Sequence, residues 1–198
     1  PAGPSEVEVI ADESANPAFI AADFLSQAEH GVDSQAMLVT ASESIVEPVM
    51  QAIREQLDRL PRKEITEKSL SHSRLIVLKD KQEVIDFTNL YAPEHLIIQT
   101  TDYADIAGQV ENAGSVFMGP YTPESAGDYA SGTNHTLPTN GYAKAYSGVN
   151  LDSFIKKITF QEITADGIRL LGGTIRTMAA NEQLDAHKNA VTIRLNTL

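Results

Sequence analysis

The sequence predicts an α/β fold in three layers, built on a mainly parallel, twisted sheet of an incomplete Rossmann-like kind and ending in a C-terminal helical tail. Three observations lead to this prediction. Apolar segments of strand length alternate with amphipathic segments of helical period as far as residue 119, which is typical of a parallel sheet covered on both faces. Of the 198 residues, 42% are hydrophobic, which is enough for one sizeable core. Beyond residue 150 the pattern becomes largely helical.

The first strand and helix form the clearest unit. The strand is "EVEVIA" at 6–11, and the helix covers 16–31, with Asn16 as a typical N-cap, Pro17 in the first turn and Gly31 at the end. The same alternation then repeats through the strand 36–40, the helix 44–59, the strand 74–78, the helix 81–91, the strand 95–100, a short helix 103–108 and the strand 115–119.

The pattern stops between residues 120 and 150, where Gly, Pro, Ser, Thr, Asn and Tyr predominate. A loop of this length inside a compact domain is usually functional or disordered, and its tyrosines and scattered charges favour an ordered loop that carries a site. We therefore predict a partial α/β catalytic domain at 1–150, with the site loop at 120–150.

The remaining residues, 151–198, are predicted to form the tail. The segment 154–164 is expected to be partly strand, and helices are expected at 165–181 and 183–196. Because this tail has too little apolar surface for a core of its own, we expect it to dock on the main domain or on another subunit.

The composition argues against several classes of function. The formal net charge of −12 disfavours nucleic acid and anionic membranes as partners, because such surfaces need clustered Lys and Arg. Cysteine is absent, so a metal would need nitrogen and oxygen ligands. We find no signal peptide and no apolar run of membrane-spanning length, and we expect a cytoplasmic protein. The chain enters its first strand almost at once, which raises the expectation that it was cut from a longer one.

Two polar pairs lie where helices end. Gln27 and His30 are three residues apart in the last turn of the first helix, so they can converge on a metal, or they can simply be the polar end of a surface helix. Glu94 and His95 follow Pro93 just before a strand. A carboxylate and an imidazole are suited to acid-base chemistry near neutral pH, and the alternative is an exposed turn with one residue packed inward.

Two further segments carry candidate residues. Asp128 and His135 lie in the long loop, whose glycines do not have the spacing of a dinucleotide or phosphate-binding fingerprint. Glu182, Asp185 and His187 lie on the last helical stretch, where a solvated face is the alternative. Of the five histidines, only His72 lies outside these segments. Gln, His, Asp and His ligands from distant segments would suit zinc.

Taken together, six blocks in order resemble the C-terminal half of histidinol dehydrogenase. They are "GPSEV", "SQAEHG", "YAPEHL", "NAGSVF", "SAGDYASGTNHTLPT" and "DAHKNAV". The resemblance implies zinc ligands at Gln27, His30, Asp128 and His187 and a catalytic pair at Glu94 and His95. It also implies substrate contacts, at Ser5, Gln27, His30, His95, Asp128, His135, Glu182 and His187.

The resemblance also implies the reaction: L-histidinol is oxidised through the aldehyde to L-histidine, with zinc bound and two NAD consumed. Members of that family are about twice as long and form homodimers with shared sites, and most of NAD would be bound by the missing N-terminal half. We therefore expect this chain to be inactive alone and its tail to dock on a partner subunit. Two alternatives stay open: a zinc-dependent hydrolase in which Glu94 and His95 activate water, and a non-catalytic interaction fragment.

Overall fold

Five strands form one parallel sheet in the computed structural model, which describes residues 3–198. They are β1 (Glu6–Ala11), β2 (Gln35–Thr40), β3 (Arg74–Val77), β4 (His95–Gln99) and β5 (Ser115–Met118). Their order across the sheet is β3-β2-β1-β4-β5, and every pairing is parallel. The chain thus grows outward from β1 in both directions, as in doubly wound folds. The predicted α/β class and parallel sheet are confirmed.

Helices cover both faces of this sheet. One face carries α1 (Pro17–Ala28), α2 (Val46–Leu57) and α3 (Lys63–Leu70), and the other carries α4 (Lys81–Tyr91) and α5 (Tyr103–Ala107). On the first face Phe24 and Val49 belong to the same buried cluster as Val9, and on the second Val84 packs in a cluster with Ile98. The strands are apolar on both faces because both faces are covered, which is the predicted three-layer arrangement.

Local capping explains where two of these helices begin. The Asn16 side chain accepts a hydrogen bond from the Ala18 amide at the start of α1, with Pro17 in the first turn. The Asp80 side chain does the same for the Glu83 amide at the start of α4. The end of α4 is marked by Ala92, which has a left-handed backbone with φ of 58°.

Three features differ from the sequence prediction. Helix α3 was not predicted, because its buried side chains are Thr66 and Ser69 and leave no apolar period to detect. The site loop contains a short helix, α6 (Glu124–Tyr129), where no element was expected. The predicted strand content of 154–164 is wrong: among these described residues none pairs with a strand, and most are exposed. A strand needs an edge to pair with, and apolar residues alone do not supply one.

The chain divides into two compact units, one ending at Ile155 and one spanning Lys156–Leu198. The second unit contains α7 (Ala165–Asn181) and α8 (Asp185–Leu195), which contact one another. Among the apolar residues of this described unit, only Ala179 and Val191 are buried. Within residues 3–198, no helix combines the length and the apolar character needed to cross a membrane.

Candidate functional site

The polar residues of the candidate site gather at the amino edge of the sheet. Ser5 directly precedes β1, and His95 begins β4 in register with Val7 of β1. Helix α1 returns from the carboxyl end of β1 towards the start of β2, so its last turn, with Gln27, lies at the same edge. Doubly wound folds commonly bind ligands at the opposite, carboxyl edge, so the position of this cluster is a distinctive feature of the molecule.

Glu94 is held through one of its two carboxylate oxygens. The Ser5 hydroxyl donates to Oε2 at 2.5 Å, and the Glu6 amide donates to the same oxygen at 3.1 Å. Within the described residues Oε1 has no hydrogen-bond partner. Glu94 and His95 are both buried, so the interpretation of this segment as an exposed turn with one residue packed inward is wrong. The carboxylate therefore has one anchored oxygen and one that is free to act.

His95 is buried beside it, with its ring oriented by main chain. Its Nδ1 lies 3.1 Å from the Glu6 carbonyl oxygen and 3.6 Å from Oε2 of Glu94. A carbonyl oxygen can only accept, so the proton of the neutral ring is on Nδ1, and Nε2 keeps its lone pair. Burial lowers the pKa of His95, while the carboxylates of Glu94 and Asp128 act in the opposite direction. The neutral imidazole, the form that accepts a proton, is thereby favoured.

Gln27 links helix α6 to Ser5, whose hydroxyl in turn holds Glu94. Its side chain is fully buried. With the amide oriented so that both ends are satisfied, Nε2 donates to both carboxyl oxygens of Glu124 at 3.3 Å, and Oε1 lies 3.2 Å from the Ser5 hydroxyl. The interpretation of Gln27 as the polar end of a surface helix is therefore wrong.

His30 and Asp128 lie near the same cluster and are more accessible. His30 follows α1 and is exposed, while Asp128 lies on α6 and is partly buried. Their charges act on His95 with opposite effects on its pKa. Neither side chain has a hydrogen-bond or ion-pair partner in the part of the chain that the structure describes. Two side chains without such partners among the described residues thus act electrostatically on His95.

Three other expected residues, His135, Glu182 and His187, are exposed. His135 is exposed in the site loop without a hydrogen-bond partner among the described residues. Glu182 and His187 belong to the second unit and are exposed there. Across residues 3–198 no three His, Asp or Glu side chains form a group that could hold a metal ion. Of the four expected zinc ligands, only His30 and Asp128 are His, Asp or Glu residues of the first unit, since Gln27 is an amide and His187 belongs to the second unit.

Sequence comparison shows the family. A profile described as "Histidinol dehydrogenase" matches residues 1–195. This chain belongs to the histidinol dehydrogenase family. A histidinol dehydrogenase of Bacteroides thetaiotaomicron is 69% identical over all of the chain and 46% of its own length. A chloroplastic histidinol dehydrogenase of Arabidopsis thaliana is 58% identical over all of the chain and 43% of its own length.

Structural comparison agrees with the sequence. The crystal structure of histidinol dehydrogenase from Elizabethkingia anophelis matches with a TM-score of 0.95 and 57% identity, over all of this chain and 46% of that one. The chain thus spans about half the length of the relatives it matches. The resemblance to histidinol dehydrogenase found in the sequence is confirmed.

Two buried carboxyl groups at this cluster were missed by sequence reasoning. Glu124 begins α6, and its Oε1 lies 4.0 Å from Nε2 of His95. Burial, reinforced by the charges of Asp128, Glu94 and Asp23, raises the pKa of Glu124 to about 8. Its spacing of four residues from Asp128 was the available signal, since i and i+4 share one face of a helix. Glu6, the second, was hidden within an apolar strand.

Proposed function

We propose that this chain is the zinc-bearing catalytic half of a histidinol dehydrogenase that oxidises L-histidinol through L-histidinaldehyde to L-histidine with two NAD, the last steps of histidine biosynthesis. The observation that carries the proposal is the buried pair of Glu94 and His95, with one free carboxylate oxygen and one free imidazole nitrogen. Membership of an oxidoreductase family gives the reaction class. We expect the enzyme to work in the cytoplasm.

His95 acts as the general base in both oxidations. An alcohol loses its hydroxyl proton as hydride leaves the carbon, and Nε2 of a neutral imidazole accepts that proton. The second oxidation starts from the hydrated aldehyde, which loses a hydroxyl proton in the same way. The hydrogen bond between Nδ1 and the Glu6 carbonyl supports this role, because it leaves Nε2 unprotonated.

Glu94 acts on water between the two oxidations. The aldehyde must add water before it can lose a second hydride, and a carboxylate next to the imidazole can remove a proton from that water. The free Oε1 of Glu94 supports this assignment, while Oε2 keeps the carboxylate fixed through Ser5 and Glu6.

Zinc fits the donors that stand beside this pair. Gln27, His30 and Asp128 would hold it together with His187 of the partner subunit, and all four supply nitrogen or oxygen ligands of the kind that zinc accepts. The unpaired side chains of His30 and Asp128 support the assignment. Bound there, zinc would orient a substrate that carries an imidazole and an amine. Ser5, His135 and Glu182 are proposed as further substrate contacts.

NAD does not fit this chain in the same way. The described residues offer no glycine-rich turn of dinucleotide-binding spacing between a strand and a helix. We therefore assign most of the NAD site to the part of the longer relatives that this chain does not span. The proton transfers at His95 and Glu94 are the contribution of the chain itself.

We also propose a homodimer with shared sites, in which Glu182 and His187 of one subunit serve the partner's site. The second unit buries few apolar side chains by itself, and Phe160 and Ile158 are largely exposed. Such a unit is stabilised by docking on another surface.

The test is an assay of the complete encoded polypeptide with L-histidinol, NAD and zinc. We expect reduction of NAD and formation of L-histidine, loss of both in His95→Asn, and retention of both in His72→Asn, whose imidazole is exposed. The 198-residue chain alone should give little or no NAD reduction. Zinc binding without any oxidation of histidinol by the complete polypeptide would contradict the proposal and favour the hydrolase or the interaction fragment.

A further inference from the structure

Glu6 is the first residue of β1, and its main-chain amide, on the side of β4, makes no hydrogen bond to the main chain of that strand. Glu6 pairs with Gln35 of β2, but the pairing of β1 with β4 begins one residue later, between Val7 and His95. The amide and carbonyl of Glu6 on that side contact the two catalytic side chains. The amide donates to Oε2 of Glu94 at 3.1 Å, and the carbonyl accepts from Nδ1 of His95 at 3.1 Å. One peptide segment thus positions both members of the pair.

The side chain of Glu6 fixes that segment to the site loop. Its Oε1 accepts a hydrogen bond from the Asn140 amide at 2.7 Å, and the side chain is buried. Asn140 and Gly141 both have positive φ, of 56° and 74°, and the Tyr142 amide donates to the Thr139 carbonyl at 3.1 Å, so this segment is a tight turn. The site loop is thereby attached to β1 beside the catalytic pair.

We propose that Glu6 is a positioning residue, whose carboxyl group ties the turn at Asn140 to β1 and so holds the main chain that orients Glu94 and His95. The proposal rests on the function proposed above. No catalytic task is needed from its own carboxyl group, since its main-chain groups make the contacts to the pair. Without the tie, the Glu6 carbonyl would no longer keep the His95 proton on Nδ1.

A positioning role and a catalytic role predict different effects of two substitutions. The amide oxygen of Glu6→Gln can still accept from the Asn140 amide, whereas Glu6→Ala has nothing to offer it. If Glu6 positions the pair, then in the complete encoded polypeptide Glu6→Gln keeps kcat within about threefold and Glu6→Ala lowers it about 10- to 100-fold, because small misplacements of catalytic groups have effects of that size. If Glu6 is a proton donor or acceptor, Glu6→Gln is as inactive as Glu6→Ala.

The spectroscopic test uses ¹⁵N NMR of the histidine side chains, with the His95 signals assigned by their loss in His95→Asn. We expect a single tautomer protonated at Nδ1 in the unaltered protein and in Glu6→Gln, and a mixture of both tautomers in Glu6→Ala. An unchanged tautomer and an unchanged kcat in Glu6→Ala would overturn the proposal, as would an inactive Glu6→Gln.

Folding and function are separated by two controls. If Glu6→Ala fails to fold, Glu6→Asp serves instead, because its shorter side chain cannot span the same distance to the Asn140 amide. It should give the same mixture of tautomers. If the unaltered protein does not oxidise histidinol, the proposed function fails, while the tautomer measurement still decides whether Glu6 orients His95.

Discussion

Glu8, in the middle of β1, and Thr88, on α4, are joined by a buried hydrogen bond between carboxyl and hydroxyl groups. The same hydroxyl lies 2.9 Å from the Val84 carbonyl, which can only accept. A hydroxyl has one proton, so when it is donated to Val84, the proton between Glu8 and Thr88 must come from Glu8. Burial raises the pKa of Glu8 from 4.5 to about 8, which agrees with a neutral carboxyl group.

The first prediction concerns the pH dependence of stability. The folded state keeps the Glu8 proton up to about pH 8, whereas the unfolded chain loses it near 4.5, so folding binds a proton in this window. The free energy of unfolding should therefore fall as pH rises across it, by up to ~1.4 kcal/mol per pH unit from this group.

Glu8→Gln should reduce that slope, since an amide can donate to Thr88 at any pH. Urea unfolding across the window measures it, with the exposed Glu13→Gln as control. A slope equal to that of the control would show that Glu8 is ionised in the folded state. Glu6, Asp23 and Glu124 also have raised pKa values, so part of the slope should remain.

The second prediction concerns Gly114, which directly precedes β5 at the amino edge of the sheet. A Cβ atom there would lie 2.5 Å from the carbonyl oxygen of Glu94, which is main chain and cannot move aside freely. Gly114→Ala should lower the free energy of unfolding by about 1–3 kcal/mol and slow catalysis by displacing Glu94. Gly31→Ala is the matched control, because nothing lies within 4 Å of its Cβ position. Equal stability of the two variants would count against this packing.

The third prediction concerns the proposed metal. His30→Ala and Asp128→Ala should each lose most of the bound zinc, because each removes one of four ligands. Zinc content after dialysis is the measurement, and His72→Ala should keep the unaltered amount. Full zinc content in either ligand variant would refute the assignment.

The fourth prediction separates the roles of the catalytic pair. His95→Asn should slow the oxidation of alcohol and of aldehyde alike, since a proton leaves in both steps, whereas Glu94→Gln should mainly slow the aldehyde step, in which water adds. Separate assays of the complete encoded polypeptide with L-histidinol and with L-histidinaldehyde measure the two rates. Equal losses for Glu94→Gln with both substrates would argue against a distinct role in activating water.

The fifth prediction concerns assembly. The 198-residue chain should sediment as a dimer, and zinc should favour that dimer. A chain shortened to end at Asn150 should sediment as a monomer, because it lacks the apolar residues that would dock on the partner. The exposed Phe154 and Phe160 are among those removed. Monomers in both cases, with and without zinc, would contradict the proposed dimer.

Local signals in the sequence were sufficient for most of the fold. Helix α4 has the predicted bounds because Asp80 caps its start and Pro93 follows its end. Helix α3 was not predicted, because its buried residues are Thr66 and Ser69 and no apolar stripe marks it in the sequence. The segment around Ile158 was wrongly expected to contain a strand, because β-propensity cannot reveal whether a partner strand exists.

The candidate site was only partly predictable, for a physical reason. Glu94 and His95 were found because they are neighbours in a turn next to a strand. Glu6 was not, since its contacts with Glu94 and Asn140 span 88 and 134 residues of sequence. Burial of a carboxyl group is a property of the folded chain, and a strand pattern gives no sign of it.

The turn from Ala92 to Glu94 also limits how the sequence can change over evolutionary time. It joins the end of α4 to a strand whose pairing with β1 starts at His95, and Ala92 has a buried, left-handed backbone. Inserting or deleting one residue in this turn would exchange the two faces of β4. The His95 ring would then point away, and its Nδ1 would lose contact with the Glu6 carbonyl oxygen. Glycine can replace Ala92, whereas β-branched residues cannot adopt its φ without strain and a larger polar side chain would be buried without a partner. Lineages of this protein are therefore expected to keep a small residue at this turn and to keep its length.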